Sequence, residues 1–312
     1  MTDKLLSAVV VTGNNRRIAQ TVVDALCAQT IARDMEIVIV DTAHRTQAPF
    51  TLNGKAKVLQ VACDAEASWA SARLAGVRQA SAPIVAFLED HCVPQADWAK
   101  RLVEAHEGPW VAVGYSFCNA NPQTYLSRAT MLSDYGRWEH PVESGPSLYL
   151  QSNNISYKRD ALMSLGDRLE WLLLSDGVIQ EIFRQQNRPM YLEARARAAH
   201  NNFTNVGILI TENLAHSRAV GAVRAKALEW SAWKRLVHGL ATPFVAPWLH
   251  LSRLIVTVSK GPAQRQVVLL VSFPIVFFSF LCSATGESLG YLLGMGNSAS
   301  QLTAELLRQG ID

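Results

Sequence analysis

Ile84-Val85-Ala86-Phe87-Leu88-Glu89-Asp90-His91 is the stretch that decides the fold. Five apolar residues, three of them β-branched or aromatic, run straight into two acids and an imidazole. A continuous apolar run bounded by polar residues reads as a strand buried on both faces. Its polar end is then the strand's carboxyl end, and in open α/β sheets ligands bind just outside those ends. Two carboxylates and a histidine there suit a divalent cation. A buried strand followed by a polar loop reads the same residues equally well, and the neighbouring chain decides between them.

Upstream, Leu5–Val11 is a first strand, ending in the turn Thr12-Gly13-Asn14-Asn15. Residues 15–28 carry Ile18, Val22, Val23 and Leu26 at helical spacing. Glu36–Val40 is a second buried strand ending at Asp41-Thr42, Lys57–Val61 a short third, and Ala65–Gln79 a helix. Strands alternating with helices predict a doubly wound, mostly parallel α/β sheet. Downstream, residues 97–106 read as helix and 111–117 as strand, and 118–150 as an irregular excursion rich in Tyr, Trp, Pro and Gly. Gln151–Ser156 is a polar insert between apolar flanks, Arg159–Leu165 begins a helix, and Leu172–Asp176 leads into another running to about Gln186. Met190–Ala199 is extended and ends at His200.

The 312 residues, 49% hydrophobic and 18% charged, suffice for one large domain and an appendage. A net charge of +3 without an aromatic-interleaved basic stripe excludes nucleic acid as a partner. The five cysteines have neither metal-site nor disulfide spacing, which fits reduced thiols in a cytosolic compartment. Leu5–Val11 is too short and too quickly followed by a turn to be a signal peptide.

After Asn201 the character changes. Residues 208–237 read as one long helix, and 240–258 as an apolar stretch broken by Pro243 and Pro247. Lys260-Gly261-Pro262 is a turn, and Val267–Leu281 is charge-free. Gly286-Glu287 and Gly290–Gly296 suggest a second, looser segment. Trp230, Trp233 and Trp248 lie among basic residues, the composition of an interfacial belt, so segments 240–258 and 266–294 are expected to associate with a membrane. The expected division is a catalytic domain over 1–205 and a helical C-terminal region over 206–312. Lys260 and Arg265 precede the apolar run and no Lys or Arg follows until Arg308, which puts the N-terminal flank on the cytoplasmic face of the inner membrane.

In this order, the features of residues 5–200 resemble the family 2 glycosyltransferases, which have the GT-A fold. The resemblance implies roles for individual residues. Val9-Val10-Val11-Thr12-Gly13 is similar to the opening strand and turn, where Thr12 approaches the nucleotide. Asp41 stands where an acid recognises the base, accepting from the ring N–H of uracil. Ser71-Ala72-Arg73-Leu74-Ala75-Gly76 resembles Ala-Arg-Asn-x-Gly, and implies for Arg73 a fixed cation near the diphosphate or base. Glu89-Asp90-His91 occupies the Asp-x-Asp position, which holds a cation against both phosphates. Asp90 and His91 are the implied metal ligands, Glu89 lines the donor site, and a nitrogen ligand shifts preference from Mg²⁺ toward Mn²⁺. Asn153 and Asn154 match the Asn-rich segment bordering donor sugar and acceptor. Asp176 falls where the general base stands at a helix head, with Glu170 as fallback. His200 resembles the late histidine that completes the metal or phosphate site.

The resemblance implies an inverting, metal-dependent hexosyltransferase of cell-surface polysaccharide synthesis. Its donor would be a nucleotide-sugar, UDP-linked, and its acceptor lipid-linked or saccharide, with Mn²⁺ or Mg²⁺ as cofactor. Two other readings stand beside it. One is a nucleotidyltransferase on a similar sheet, for which the loop after the first strand has a single Gly. The other is an inactive, membrane-anchored scaffold of a glycan-assembly complex, kept open by Thr42, Leu74, His91 and Ser175 at positions where the family carries other residues. Oligomeric state, a homo-oligomer included, stays open.

Overall fold

The computed structural model describes residues 4–64 and 67–301. In chain order the strands are β1 (Leu6–Thr12), β2 (Met35–Asp41), β3 (Lys57–Ala62), β4 (Ile84–Glu89), β5 (Cys92–Pro94), β6 (Ala112–Asn119), β7 (Gly145–Pro146), β8 (Ile155–Lys158) and β9 (Met190–His200). The α-helices are α1 (Arg16–Cys27), α2 (Trp69–Gln79), α3 (Trp98–His106), α4 (Tyr125–Thr130), α5 (Arg159–Met163), α6 (Leu169–Leu172), α7 (Asp176–Gln185), α8 (Val206–Ala227), α9 (Ala232–Ser259) and α10 (Ala263–Leu293).

Two compact units form. The first comprises the described residues up to Cys118 together with Glu143–His200. Its sheet has the order β3-β2-β1-β4-β8-β6-β9-β5, with β7 against β9. Strands β3, β2, β1 and β4 are parallel. This half is the doubly wound α/β arrangement expected, and β4 is buried along its whole length in the middle of it. β8 enters antiparallel to β4, and β6 antiparallel to β8, so β6 runs in the same sense as β4. An antiparallel neighbour needs no crossover helix packed on the sheet. α2 begins at Trp69 because Ser68 caps it, its Oγ accepting the Ser71 N–H at 3.0 Å. Ala65 and Glu66, which the sequence reading assigned to this helix, lie outside the described residues. α2 crosses β1 so closely that a Cβ at Gly76 would collide with Val9, which gives the Arg-Leu-Ala-Gly stretch its glycine.

The second unit comprises Asn119–Val142 and the described residues from Asn201 on. Here the structure corrects several expectations. The excursion read as irregular contains α4 and a π-helical turn over Met131–Tyr135. The long helix expected over 208–237 is two helices. α8 stops at Ala227, Glu229 takes a left-handed φ of 51°, and Ser231 caps α9 by accepting the Lys234 N–H at 3.3 Å. Pro243 and Pro247 lie inside α9 without ending it. The turn at Lys260-Gly261-Pro262 is present, and α10 then runs unbroken where two segments were expected. A Cβ at Gly286 would collide with the Leu214 carbonyl, and one at Gly290 with that of Arg218. These glycines serve the close crossing of α8 and α10, not a helix break. Among the described residues α10 alone is long and apolar enough to cross a membrane, and 39% of its most apolar window is buried. Arg308 and the end of the tail lie outside the described residues.

Candidate active site

Register brings the carboxyl ends of three strands together. Thr12 pairs with Asp41 across β1 and β2, and Val11 with Glu89 across β1 and β4. Directly after Glu89 the chain turns through Asp90-His91 into β5, whose Cys92 lies opposite His200 at the end of β9. That antiparallel pairing sets the His91 and His200 rings edge to face, with centroids 4.8 Å apart.

Glu89, His91 and His200 each offer a buried ligand atom, all within 4.8 Å of one another. His200 Nε2 lies 3.3 Å from Glu89 Oε2, and His91 Nε2 3.9 Å from the same oxygen. Asp90 and His91 were the ligands expected beside His200, and the structure groups Glu89 with the two histidines instead. Asp90 Oδ1 sits 3.2 Å from His91 Nδ1. When Nδ1–H donates to that carboxylate, Nε2 carries the lone pair on the Glu89 side, the usual way a carboxylate orients a ligating imidazole. Burial alone would lower the His91 pKa, but the hydrogen bond to Asp90 and the charges of Glu89 and Asp90 outweigh it and leave it raised. Two nitrogens and one carboxylate suit a first-row transition-metal dication better than Mg²⁺, which takes oxygen ligands.

Glu89 is held by the Asn-rich turn. Its N–H donates to Asn154 Oδ1 at 2.9 Å, Asn154 Nδ2 donates to Oε2, and Asn153 Nδ2 to Oε1 at 3.1 Å. Both amides, expected at the border of donor sugar and acceptor, are turned onto this carboxylate. Asn153 has a φ of 64°, a left-handed conformation that Asn tolerates better than most residues. The same geometry points its N–H at Asp176 Oδ2, 2.8 Å away.

Asp176 is the first residue of α7, and the cap is Ser175. Its carboxylate is fully buried and accepts from Arg73 Nη2 at 3.0 Å, Tyr157 Oη at 2.9 Å and the Asn153 N–H. Burial and the Asp176 charge push the Tyr157 phenol well above its ordinary range, so it stays a donor. Arg73, expected to face the diphosphate or base, is 1% exposed. It donates to the Leu173 carbonyl at 2.7 Å and stacks on Phe87 with its guanidinium carbon 3.9 Å from the ring centroid. The fallback acid Glu170 accepts from Ser71 Oγ at 2.7 Å.

Asp41 pairs with Arg16 at 2.6 Å, and Arg16 lies 3.9 Å over Phe50. Asp41 Oδ1 also accepts the Ala43 N–H at 3.0 Å. Thr42, where the family carries a second acid, donates its hydroxyl to the Thr12 carbonyl at 3.0 Å. The Thr12 hydroxyl and Arg16 Nε and Nη1 are buried with no partner among the described residues. The sequence reading missed Arg16, Tyr157 and Glu89 as a metal ligand. Arg16 directly follows the β1 turn and could have been found there; Tyr157 carries no local signal.

A family model described as glycosyl transferase family 2 matches residues 7–165, just over half of the chain. Among solved structures the chain is similar to the mannosyltransferase PcManGT from Pyrobaculum calidifontis in complex with GDP-Man and Mn²⁺. The TM-score is 0.53 at 14% identity, covering 93% of this chain and 88% of that one. It is also similar to residues 1–349 of S. aureus TarS in complex with UDP, with a TM-score of 0.49 at 14% identity, covering 91% and 89%. At these identities the first likeness shows the fold and the second carries no weight. No curated protein matches.

Proposed function

The chain belongs to glycosyl transferase family 2, and we propose that it is an inverting, metal-dependent enzyme moving a sugar from a UDP-linked donor to a lipid-linked or saccharide acceptor at the cytoplasmic face of a membrane. The observation that carries this reading is the continuous hydrogen-bonded network from Arg73 through Asp176, Asn153 and Glu89 to His200. It couples a candidate metal-binding group to a candidate base at the carboxyl ends of the central strands.

Asp41, fixed by Arg16, accepts from the base of the donor, and the unmet Thr12 and Arg16 donors beside it supply further contacts. Glu89, His91 and His200 would hold the cation, and Asp90 orients His91. A dication held by these residues would neutralise charge on the departing diphosphate. Asp176 is the proposed base. The acceptor oxygen bonds to the anomeric carbon, its proton passes to Asp176, and the bond to the diphosphate breaks with its electron pair leaving on the diphosphate oxygen. Attack from the face opposite the leaving group inverts the configuration. In the state described every side of the Asp176 carboxylate has a donor, so the Asn153 turn must lift before an acceptor reaches Oδ2. Arg73 and Tyr157 position Asp176.

Product analysis with Mn²⁺ and a panel of nucleotide-sugars tests this. Release of nucleoside diphosphate is expected. Release of pyrophosphate from a sugar phosphate and a nucleoside triphosphate would indicate a nucleotidyltransferase instead.

A further inference from the structure

α9 buries a narrow face, with Gly239, Pro247, Leu251, Leu254 and Val258 inside. Through the first half of the helix the face that Leu251, Leu254 and Val258 bury farther on is apolar and open: Trp233 is 72% exposed, Leu240 59%, Phe244 77% and Trp248 59%. With Val237 these fall at steps of three and four residues, one stripe along the helix. α10 repeats the pattern with Val267, Leu270, Val271, Phe278 and Leu281. Scattered exposed apolar residues need no explanation, but two adjoining helices with continuous stripes do.

Charge says what covers them. Residues 232–286 contain five Lys and Arg and no Asp or Glu. Arg265 is taken up by Glu139 at 2.9 Å. Lys234, Arg253 and Lys260 are exposed and Arg235 half-buried. An apolar stripe edged with cations and tryptophans matches the boundary between acyl chains and anionic headgroups.

The packing says how the helices meet that boundary. From Ser279 on, α10 lies against α8, starting with Asn213 Nδ2 donating to Ser279 Oγ at 3.2 Å. α8 brings Glu212, Arg218, Arg224 and Lys226, and Arg224 pairs with Glu287. The stretch between Arg265 and Ser279 is only ~20 Å long at 1.5 Å per residue. A hydrocarbon core is ~30 Å thick, and charges inside it are costly. The inner side of that stretch is also occupied, by Ala129, Leu132, Leu254 and Val258 and by Tyr125, whose hydroxyl donates to the Val271 carbonyl at 2.9 Å.

We infer that α9 and α10 form an interfacial surface lying along an anionic bilayer, with their outer stripes in the headgroup and acyl boundary, and that neither helix crosses it. This deepens the membrane attachment proposed above. Its test reads lipid binding separately from sugar transfer, so its failure leaves the enzyme reading standing.

Full-length chain is floated with phosphatidylcholine vesicles containing phosphatidylglycerol and with phosphatidylcholine alone. Binding is expected to be at least tenfold stronger to the anionic vesicles, to weaken with salt, and to drop more than tenfold in Phe244→Glu/Trp248→Glu/Leu270→Glu. Thermal midpoint and nucleotide-sugar turnover in solution should stay unchanged in that variant. In spheroplasts expressing the chain with a C-terminal tag, the tag should resist external protease until lysis. Vesicle binding unaffected by the triple change, digestion of the tag in intact spheroplasts, or a dimer that the triple change dissociates without lipid binding would each overturn the inference.

Discussion

Arg73 and Asp176 stand 103 positions apart in the chain and form an ion pair at 3.0 Å with side chains 1% and 0% exposed. A charge so deeply buried survives only with its partner, and losing one partner of such a pair costs about 3–5 kcal/mol. Arg73→Ala should therefore lower stability by roughly that amount, read from urea midpoints. Asp176→Asn keeps the shape but leaves the buried Arg73 charge uncompensated, so it too should lose stability, and its turnover is read at a temperature where it stays folded. It should cut turnover by about 10²- to 10⁴-fold, the range for loss of a general base, with donor binding retained. Equal turnover in Asp176→Asn would reduce Asp176 to an anchor for Arg73.

Glu89 and Asp90 are neighbours with different expected roles. Glu89→Gln should remove a ligand and abolish measurable Mn²⁺ binding. Asp90→Asn should weaken it only about 10- to 100-fold, the cost of losing a group that orients a ligand. Calorimetric Mn²⁺ titration of the two variants distinguishes this from the sequence-level assignment, in which Asp90 is itself the ligand.

Asn153 combines a left-handed backbone with an amide on Glu89. Asn153→Gly should keep the backbone and the N–H to Asp176 while weakening Mn²⁺ binding. Asn153→Ala should add a conformational cost of about 1–2 kcal/mol, so its thermal midpoint should fall below that of the glycine variant.

His106 is buried against Ser156, its Nε2 2.9 Å from the hydroxyl. Burial and the nearby Lys158 charge lower its pKa from 6.5 to about 3. Between those values the unfolded chain binds a proton that the folded chain does not, so stability falls as pH drops through the window. From pH 7 to pH 5 the loss should be on the order of 1–2 kcal/mol, and His106→Gln should flatten it. Denaturation midpoints at the two pH values provide the check.

What the sequence made legible follows from local physics. β4 and the acids at its end were readable because a doubly buried strand is a continuous apolar run. The parallel half of the sheet was readable from the alternation of strands with helices. The link from His200 to Glu89 spans 111 positions and runs through β5, three residues long, which leaves no periodicity. Arg73 looked like a ligand-facing cation because spacing cannot reveal that Phe87 and Asp176 enclose it. Gly286 and Gly290 looked like breaks because composition does not show a neighbouring helix.

The most direct measurement of the central claim is electron paramagnetic resonance of Mn²⁺ titrated into the full-length chain, with and without UDP. One bound ion per chain is predicted, tightened by UDP, with binding lost in Glu89→Gln and in His91→Ala/His200→Ala. No bound ion, or an unchanged signal in both variants, would contradict the claim that these three residues hold the cation for sugar transfer.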